Sequence, residues 1–234
     1  MIKDGLIDLY YKPLTELFES NKCPANAIPM KRYMKDISEF LGLKSDLRKK
    51  LQSEFFREYG YPKSDNLFSS VIYLWSMPFR EYQYSGMDLM VKPSVKLSIQ
   101  DIEPIEYMIT TKSWWDTADF VAASLAGKYF RLFPEKITTV TGQWIESDNI
   151  WLKRSALLFQ LKYKSKTDEK LLFDYIKKES SHKDFFIRKA IGWALREYSK
   201  SNPLAVKEFI HNNVISPLSK KEGLKIINKK ESSL

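Results

Sequence analysis

The sequence predicts an all-α protein built as an α-solenoid of paired helices. Apolar residues recur with helical spacing over most of the chain, and no stretch shows convincing strand alternation or an Asn-Gly hairpin. Only 8 of the 234 residues are glycine, which leaves few positions suited to left-handed turns and favours long helices joined by short loops. From about Asp65 onward, helices recur in pairs with short connections marked by proline or serine, a rhythm typical of stacked helical repeats.

Capping and stop residues define the elements of the first half of the chain. Ser45 is expected to cap a helix through residue 58, with Gly60 as its stop. Pro78 precedes a second helix over residues 79–91, and residues 92–96 look extended. Ser113 is expected to cap a helix over residues 114–126, with Gly127 as its stop.

The second half of the chain reads as a regular series of helices. We expect helices over residues 134–145, 150–163, 169–179 and 185–200, then two more that start near positions 203 and 219. Asp148 or Asn149 and Asp184 are their predicted N-caps, and the other start signals are the Thr-Asp-Glu run at residues 167–169 and the Asn-Pro pair at residues 202–203. No segment reads as a linker long enough to separate two domains, so residues 1–234 are predicted to form one domain.

The N-terminus predicts neither export nor membrane insertion. Asp4 and Asp8 interrupt the apolar stretch that a signal peptide would need, and no apolar run approaches the length of a membrane span. We therefore expect a monomeric protein of the reducing cytoplasm with no membrane partner. An amphipathic protein bound to a membrane surface remains an alternative at this point.

Composition excludes several kinds of site and suggests a partner. The chain has 38 Lys and Arg against 29 Asp and Glu, a net charge of +9, which favours a polyanionic partner and nucleic acid first. Cys23 is the single cysteine, and His182 and His211 are the only histidines, so a disulfide, a cysteine-based metal cluster and a histidine-rich metal site are not expected. We predict no metal and no cofactor.

Two aromatic residues lie away from the predicted core stripes of their helices. Trp115 and Asp119 are four residues apart and share one helix face, which continues with Ala122 and Ala126 as a shallow floor open to a ligand. Trp193 lies off the stripe formed by Ile187, Ile191, Leu195 and Tyr198, and its neighbours include Lys189, Arg196 and Glu197. The alternative is structural: Trp115 packs in the core beside a solvated Asp119, and Trp193 meets a neighbouring helix.

Basic residues accompany these positions. Arg154 lies nearly opposite Leu152 on its helix and is expected on a non-core face. Other cations in the same part of the chain predict a track for a phosphate backbone on the concave surface of the solenoid: Lys153, Lys162, Lys164, Lys166, Arg188, Lys189, Arg196 and Lys200. The alternative is that these cations only make the surface soluble.

Several segments resemble the AlkD-type DNA alkylation repair glycosylases. They are Lys-Ser-Trp-Trp-Asp-Thr-Ala-Asp at residues 112–119, Trp-Leu-Lys-Arg at residues 151–154 and the aromatic-rich stretch at residues 185–198, with Met-Lys-Arg-Tyr-Met-Lys at residues 30–35 and Glu-Tyr-Gln-Tyr at residues 81–84. Because these segments are ordered and span nearly the whole chain, the resemblance is specific. Ala118 is a conservative departure within the Trp-Trp-Asp motif.

The resemblance implies a C-shaped solenoid of HEAT-like repeats with duplex DNA in a basic concave groove. It implies hydrolytic excision of cationic N3- and N7-alkylated purines, such as 3-methyladenine and 7-methylguanine, without a pocket for the base. Trp115 and Trp193 would flank the lesion with the catalytic Asp119 between them, Arg154 would contact the DNA backbone and Tyr33 would hold the duplex. Asp116 is an alternative candidate for the catalytic carboxylate. The family pattern and the spacing from Trp115 both favour Asp119.

The chemistry implied by the resemblance suits a chain poor in histidine and cysteine. Loss of a cationic alkylpurine neutralises the leaving group, so no general acid is needed and a carboxylate is sufficient to stabilise the sugar cation and orient water. A lysine nucleophile that forms a Schiff base remains an alternative from composition. Two further alternatives are a non-catalytic solenoid that binds structured or damaged DNA and a protein-interaction solenoid without a nucleic-acid role.

Overall fold

The structure, a computed structural model, describes residues 4–92 and 95–232 and confirms the all-α fold class. The chain divides into two compact units, Met1–Lys96 and Leu97–Leu234. Within the described residues the extended pairing is limited to an isolated bridge between Glu39 and Phe79. The extended segment expected at residues 92–96 includes positions 93 and 94, which lie outside the described residues.

Five helices make up the first unit as far as the structure describes it. They are α1 (Asp4–Ser20), α2 (Pro24–Tyr33), α3 (Ser45–Tyr59), α4 (Ser64–Ser76) and α5 (Arg80–Met90). In α1, Ile7, Tyr11, Leu14 and Phe18 recur at helical spacing and are all buried, and the Tyr11 ring stacks on Phe55 of α3. This unit is therefore held by an aromatic-rich core between α1, α3 and α4.

Polar side chains of α5 hold the loops of the first unit. The fully buried Glu81 carboxylate accepts hydrogen bonds from the backbone N–H groups of Leu41, Gly42 and Leu43 at 2.9 to 3.1 Å. Gln83 donates to three backbone carbonyls at the C-terminal end of α4. The Glu-Tyr-Gln-Tyr segment is thus a structural motif that fixes loops.

Nine α-helices and one π-helical segment make up the described part of the second unit. After a 3₁₀ turn at Ile99–Asp101 come α6 (Ile102–Thr110), α7 (Trp115–Phe120), a π-helical segment (Val121–Ala126), α8 (Gly127–Leu132), α9 (Ile137–Glu146), α10 (Ile150–Leu158), α11 (Glu169–Lys178), α12 (Phe185–Tyr198), α13 (Pro203–Asn212) and α14 (Pro217–Glu231). The helix α10 packs against α6, α7, α9, α11 and α12 and is buried on nearly all sides. It is the centre of this unit.

Most of the predicted helix starts in the second unit are confirmed. The side chain of Asp184 accepts from two backbone N–H groups at the start of α12, and Asn149, Asp168 and Asn202 cap α10, α11 and α13 in the same way. The predicted core stripe of α12 is also confirmed, because all four of its residues are buried. The last helix begins at Pro217, two residues before the expected position.

Gly127 is wrongly predicted as a helix stop. The chain continues through it as one helical rod from α7 to α8, with φ near −60° at Gly127. A Cβ at this position would lie 2.6 Å from the carbonyl oxygen of Phe159, so glycine permits the close approach of the segment after α10. Ser113 does not cap α7 either: Trp114 precedes that helix, and the Ser113 hydroxyl donates to the Ile109 carbonyl.

Two further boundaries differ from the sequence expectation. The helix α10 ends at Leu158 rather than at residue 163, because the following chain turns back and the Tyr163 hydroxyl donates to the Gly127 carbonyl at 2.8 Å. The helix α3 begins at Ser45 itself, after Lys44, and Ser45 makes no cap bond there, whereas Gly60 ends it with φ of 77° as expected. Among the described residues, no helix is long and apolar enough to cross a membrane.

Candidate functional site

Asp119 lies in the last turn of α7, one residue away from the π-helical segment. The wider turn of a π-helix inside an α-helical rod is a local irregularity found often at functional sites. The Asp119 side chain is 13% exposed, and Trp115 lies one turn earlier on the same face. The prediction that Ala122 and Ala126 form a shallow surface open to a ligand is wrong, because both residues are fully buried in the core.

Arg154 of α10 donates two parallel hydrogen bonds to the Asp119 carboxylate. Its Nε donates to Oδ1 at 2.6 Å and its Nη2 donates to Oδ2 at 2.7 Å. This fork-to-fork geometry fixes the orientation of both side chains and is stronger than a single hydrogen bond between neutral groups. The carboxylate is therefore held in one position between α7 and α10.

The expectation of a non-core face for Arg154 is wrong. The residue is 5% exposed, because the central helix α10 is covered on that side by α7 and α12. Its remaining terminal nitrogen, Nη1, donates to the carbonyl oxygen of Phe186 in the first turn of α12. One guanidinium thus links three helices, and a contact of Arg154 with the DNA backbone stays a prediction.

An aromatic cluster covers the Arg154 side of the site. Trp114, Trp151 and Phe186 contact one another with ring centroids 5.1 to 5.7 Å apart, and the Arg154 guanidinium lies 5.9 Å from the Phe186 ring centroid. These rings shield the Arg154 side of the pair from solvent, which strengthens the electrostatic attraction between its charges. The cluster also positions the Phe186 carbonyl that Arg154 bonds.

Burial dominates the electrostatics of Asp119. Loss of water raises the pKa of its carboxyl above the ordinary value of 3.8, the hydrogen bonds and charge of Arg154 oppose that rise, and the charge of Asp116 adds to it. A carboxylate whose pKa is perturbed by burial and by one specific cation is typical of functional sites, although structural ion pairs show the same signature.

The two tryptophans lie on different helices of the second unit. Trp115 begins α7, one turn before Asp119, and is partly buried. Trp193 is partly buried on α12, two turns after Phe186 on the same face of that helix. At about 1.5 Å per residue, the seven-residue separation places Trp193 about 10 Å along the helix axis from the carbonyl that Arg154 bonds.

Several of the cations expected to bind DNA in this unit are paired with carboxylates of the chain. Lys153 donates to Glu179 and to the Ile145 carbonyl, both at 2.9 Å, and both members of the ion pair have little exposed surface. Lys189 and Arg196 both donate to Glu222 of α14. These residues are thus already held in fixed orientations.

Arg188 and Tyr33 complete the predicted contacts. Arg188 is partly exposed, and its Nε lies 3.4 Å from the Asp184 carbonyl oxygen. Tyr33 ends α2 in the first unit and is 69% exposed, next to the exposed Arg32 and close in sequence to Lys31, which bonds Glu39. No described residue of α2 is buried, so this helix presents most of its side chains to solvent.

Sequence reasoning missed two residues of this site. The Phe186 carbonyl accepts from Arg154, but a backbone acceptor gives no signal in the side-chain pattern. Glu222 lies in a lysine-rich helix where one glutamate does not stand out. The described residues contain no group of three or more His, Cys, Asp or Glu side chains arranged to hold a metal ion.

Comparison with known proteins gives consistent matches. The model of the family described as DNA alkylation repair enzyme matches residues 14–227. A solved structure described as a predicted DNA alkylation repair enzyme from Enterococcus faecalis has 33% sequence identity and a TM-score of 0.81, covering 89% of this chain and 97% of that one. No curated protein matches this chain.

Proposed function

The chain belongs to the DNA alkylation repair enzyme family, and we propose that it is an AlkD-type monofunctional DNA glycosylase that hydrolyses the N-glycosidic bond of cationic alkylated purines in duplex DNA. The family supports a role in DNA repair and DNA as the substrate. The observation that carries the finer proposal is the partly exposed Asp119 carboxylate, held in one orientation by Arg154.

The substrate class follows from what the site contains. An N3- or N7-alkylated purine carries a positive charge and leaves as a neutral base, so the reaction needs no proton donor at the leaving group. What needs stabilisation is the positive charge that develops on the sugar. A carboxylate meets this need, and Asp119 is the carboxylate whose place the surrounding helices fix.

Arg154 leaves Asp119 able to act. An ionised carboxylate has about four lone-pair sites, and Arg154 occupies one on each oxygen. The remaining sites are available to orient the attacking water and to face the sugar cation through the exposed part of the side chain. Because Arg154 also opposes the rise in the pKa of Asp119, it keeps the carboxylate ionised at lower pH than burial alone would allow.

Trp115 and Trp193 supply aromatic surface for the lesion. The face of an indole ring attracts a positive charge, so it favours a cationic alkylpurine over a neutral one and also favours the sugar cation. Each contact of this kind contributes about 0.5 to 2 kcal/mol. In this proposal the two rings select the charged lesion, and Asp119 provides most of the stabilisation of the transition state.

One observation favours the alternative of a non-catalytic DNA-binding protein. Both oxygens of Asp119 accept from Arg154, and this pairing offsets the negative charge that the reaction would use. In that alternative the pair serves only to join α7 to α10. Base release by the parent protein separates the two functions, whereas DNA binding is expected from both.

The test is release of 7-methylguanine and 3-methyladenine from methylated duplex DNA, with the freed bases separated by chromatography. We expect release by the parent protein and a loss of about 100-fold or more in Asp119→Asn, because the charge that stabilises the transition state is gone. No release by the parent would overturn the glycosylase proposal and leave the binding alternative.

Asp116→Asn is the matched control. Both carboxylates lie on α7 three residues apart, and Asp116 is close enough for its charge to raise the pKa of Asp119. We expect Asp116→Asn to change base release less than about threefold, because Arg154 orients Asp119. Equal losses in the two variants would contradict the assignment of the reaction to Asp119.

A further inference from the structure

Glu222 of α14 bridges two cations of α12. Its Oε1 accepts from the Lys189 ammonium at 2.8 Å, and its Oε2 accepts from Nη1 of Arg196 at 2.5 Å. Lys189 lies four residues before Trp193 and Arg196 lies three residues after it. All three side chains therefore share one helix face, and Glu222 reaches across the turn that carries the tryptophan.

Close packing of α12 and α14 fixes this arrangement. A Cβ at Gly192 would lie 2.5 Å from the Cβ of Glu222 and 3.0 Å from the Ser219 carbonyl oxygen. The Ser219 hydroxyl donates to the Arg188 carbonyl at 2.8 Å. The two helices thus approach closely where Glu222 meets α12. This contact places the Glu222 carboxylate directly beside Lys189 and Arg196.

The three charged groups are accessible enough to exchange partners. The side chains of Lys189, Arg196 and Glu222 are 37%, 23% and 19% exposed, in contrast to the enclosed guanidinium of Arg154. An arginine has five donors and a lysine three, so both cations keep N–H groups for a second acceptor. A phosphate oxygen has the same charge and acceptor chemistry as the glutamate oxygen that they now bind.

We infer that Glu222 is an internal counter-ion: it holds Lys189 and Arg196 beside Trp193 in the free protein, and a backbone phosphate of duplex DNA displaces it. This inference rests on the proposed function, because it needs duplex DNA to bind at this face. The carboxylate orients the two cations before DNA arrives and lowers the affinity for undamaged DNA. Glu222 is thus a positioning residue that acts through Lys189 and Arg196.

The test is the affinity of Glu222→Gln for a short, fluorescently labelled, undamaged duplex, measured by anisotropy at several salt concentrations. We expect tighter binding by about tenfold at about 50 mM salt, because two cations lose the carboxylate that competes with phosphate. The slope of the salt dependence should stay within about one unit of the parent's, because both cations contact phosphate in either complex. A role limited to packing would weaken binding, so unchanged or weaker affinity overturns the inference.

Two further variants control for net charge and for damage to the fold. Glu146→Gln adds the same charge in the same unit by opening the pair of Glu146 with Lys178, and we expect it to raise affinity by less than about twofold. Glu222→Asp keeps the charge with a shorter side chain and should raise affinity less than Glu222→Gln does. An equal rise in Glu146→Gln, or a larger one in Glu222→Asp, contradicts displacement of this carboxylate.

A last set of variants tests the two cations themselves. Replacing Lys189 and Arg196 by Gln is expected to abolish the gain when added to Glu222→Gln, and to lower affinity in the parent because both cations contact phosphate in its complex. A gain that survives their removal overturns the inference. If the parent releases methylated bases while Glu222→Gln binds no tighter, the counter-ion inference alone fails. If the parent binds no duplex at low salt, the proposed function fails.

Discussion

Asp119 and Glu222 are both carboxylates held by cations of the second unit, yet their surroundings differ. Asp119 faces one guanidinium in a site closed by aromatic rings, and burial raises the pKa of its carboxyl. Glu222 faces a lysine and an arginine at a more open surface, and the hydrogen bond from Lys189 is the main cause that lowers the pKa of its carboxyl.

The difference shows how surroundings decide what an ion pair does. In a largely enclosed site little water is available to replace a lost partner, so breaking the pair costs far more than the pair itself contributes. In an open site, water or a phosphate takes the place of either partner at small cost. The Asp119–Arg154 pair is thus suited to holding a reacting group still, and the Glu222 pairs are suited to exchange.

Removal of Arg154 tests the closed pair most severely. Arg154→Gln leaves Asp119 buried without its cation, and we expect the free energy of unfolding to fall by about 3 to 5 kcal/mol. Urea unfolding of the full chain measures this. Lys170→Gln breaks an exposed pair with Asp174 and should change the free energy of unfolding far less, because solvent screens that pair. Similar losses in both variants would remove the distinction between closed and open pairs.

Glu81 sharpens the comparison because it is buried without a cation in any of its described hydrogen bonds. Its oxygens accept from three backbone N–H groups, and burial raises the pKa of its carboxyl against the effect of those bonds. Glu81→Gln puts an amide donor where an acceptor is needed, so we expect unfolding to become easier by about 1 to 3 kcal/mol in urea denaturation.

Glu54→Gln is the control for Glu81, since the described contact of the Glu54 carboxylate on α3 is a long, exposed pair with Lys50. We expect a change within about 0.5 kcal/mol. A loss in Glu81→Gln no larger than in this control would mean that backbone donors do not hold a buried carboxylate as tightly as an arginine does.

The smallest effect is on the pH dependence of stability, and its sign differs between the two carboxylates. The depressed pKa of Glu222 makes its stabilisation complete above its ordinary pKa of 4.5 and lost as pH falls through the lowered pKa. The raised pKa of Asp119 does the reverse: its contribution is complete below the ordinary 3.8 and is lost as pH rises through the raised pKa.

Unfolding measured in urea across the acid range checks both signs. The stability difference between the parent and Glu222→Gln should shrink as the solution becomes more acidic. Carboxyl titration followed by NMR should place the pKa of Asp119 above 3.8 and that of Glu222 below 4.5. Shifts in the same direction for both groups would contradict the contrast between a closed and an open pair.

Much of the fold was predictable because its signals are local. Caps such as Asp184 and Asn202 and the periodic stripe of α12 depend on residues within a few positions, and the structure confirms them. No bounds were predicted for α1, α2, α4 or α6, and Pro13 and Pro29 lie inside α1 and α2, where proline ordinarily disfavours a helix. Gly127 was misjudged because the chain that packs on it lies about 30 residues away in sequence.

The candidate site was predictable as a set of residues but not as a geometry. Asp119, Arg154 and the two tryptophans were singled out from spacing and resemblance, and their functional roles stay predictions. The pairing of Asp119 with Arg154 joins residues 35 positions apart, and that of Lys189 with Glu222 joins residues 33 apart. Such pairs depend on how the helices pack against one another, and helical periodicity does not predict that packing.

One measurement tests most directly whether Asp119 controls the rate of base release while Glu222 controls DNA affinity. The single-turnover rate of 7-methylguanine release at saturating protein and the dissociation constant for the same duplex are determined for the parent, Asp119→Asn and Glu222→Gln. We predict that Asp119→Asn lowers the rate about 100-fold or more with little change in affinity, and that Glu222→Gln tightens binding with the rate unchanged. If both variants change the same quantity, the two carboxylates do not have separate functions.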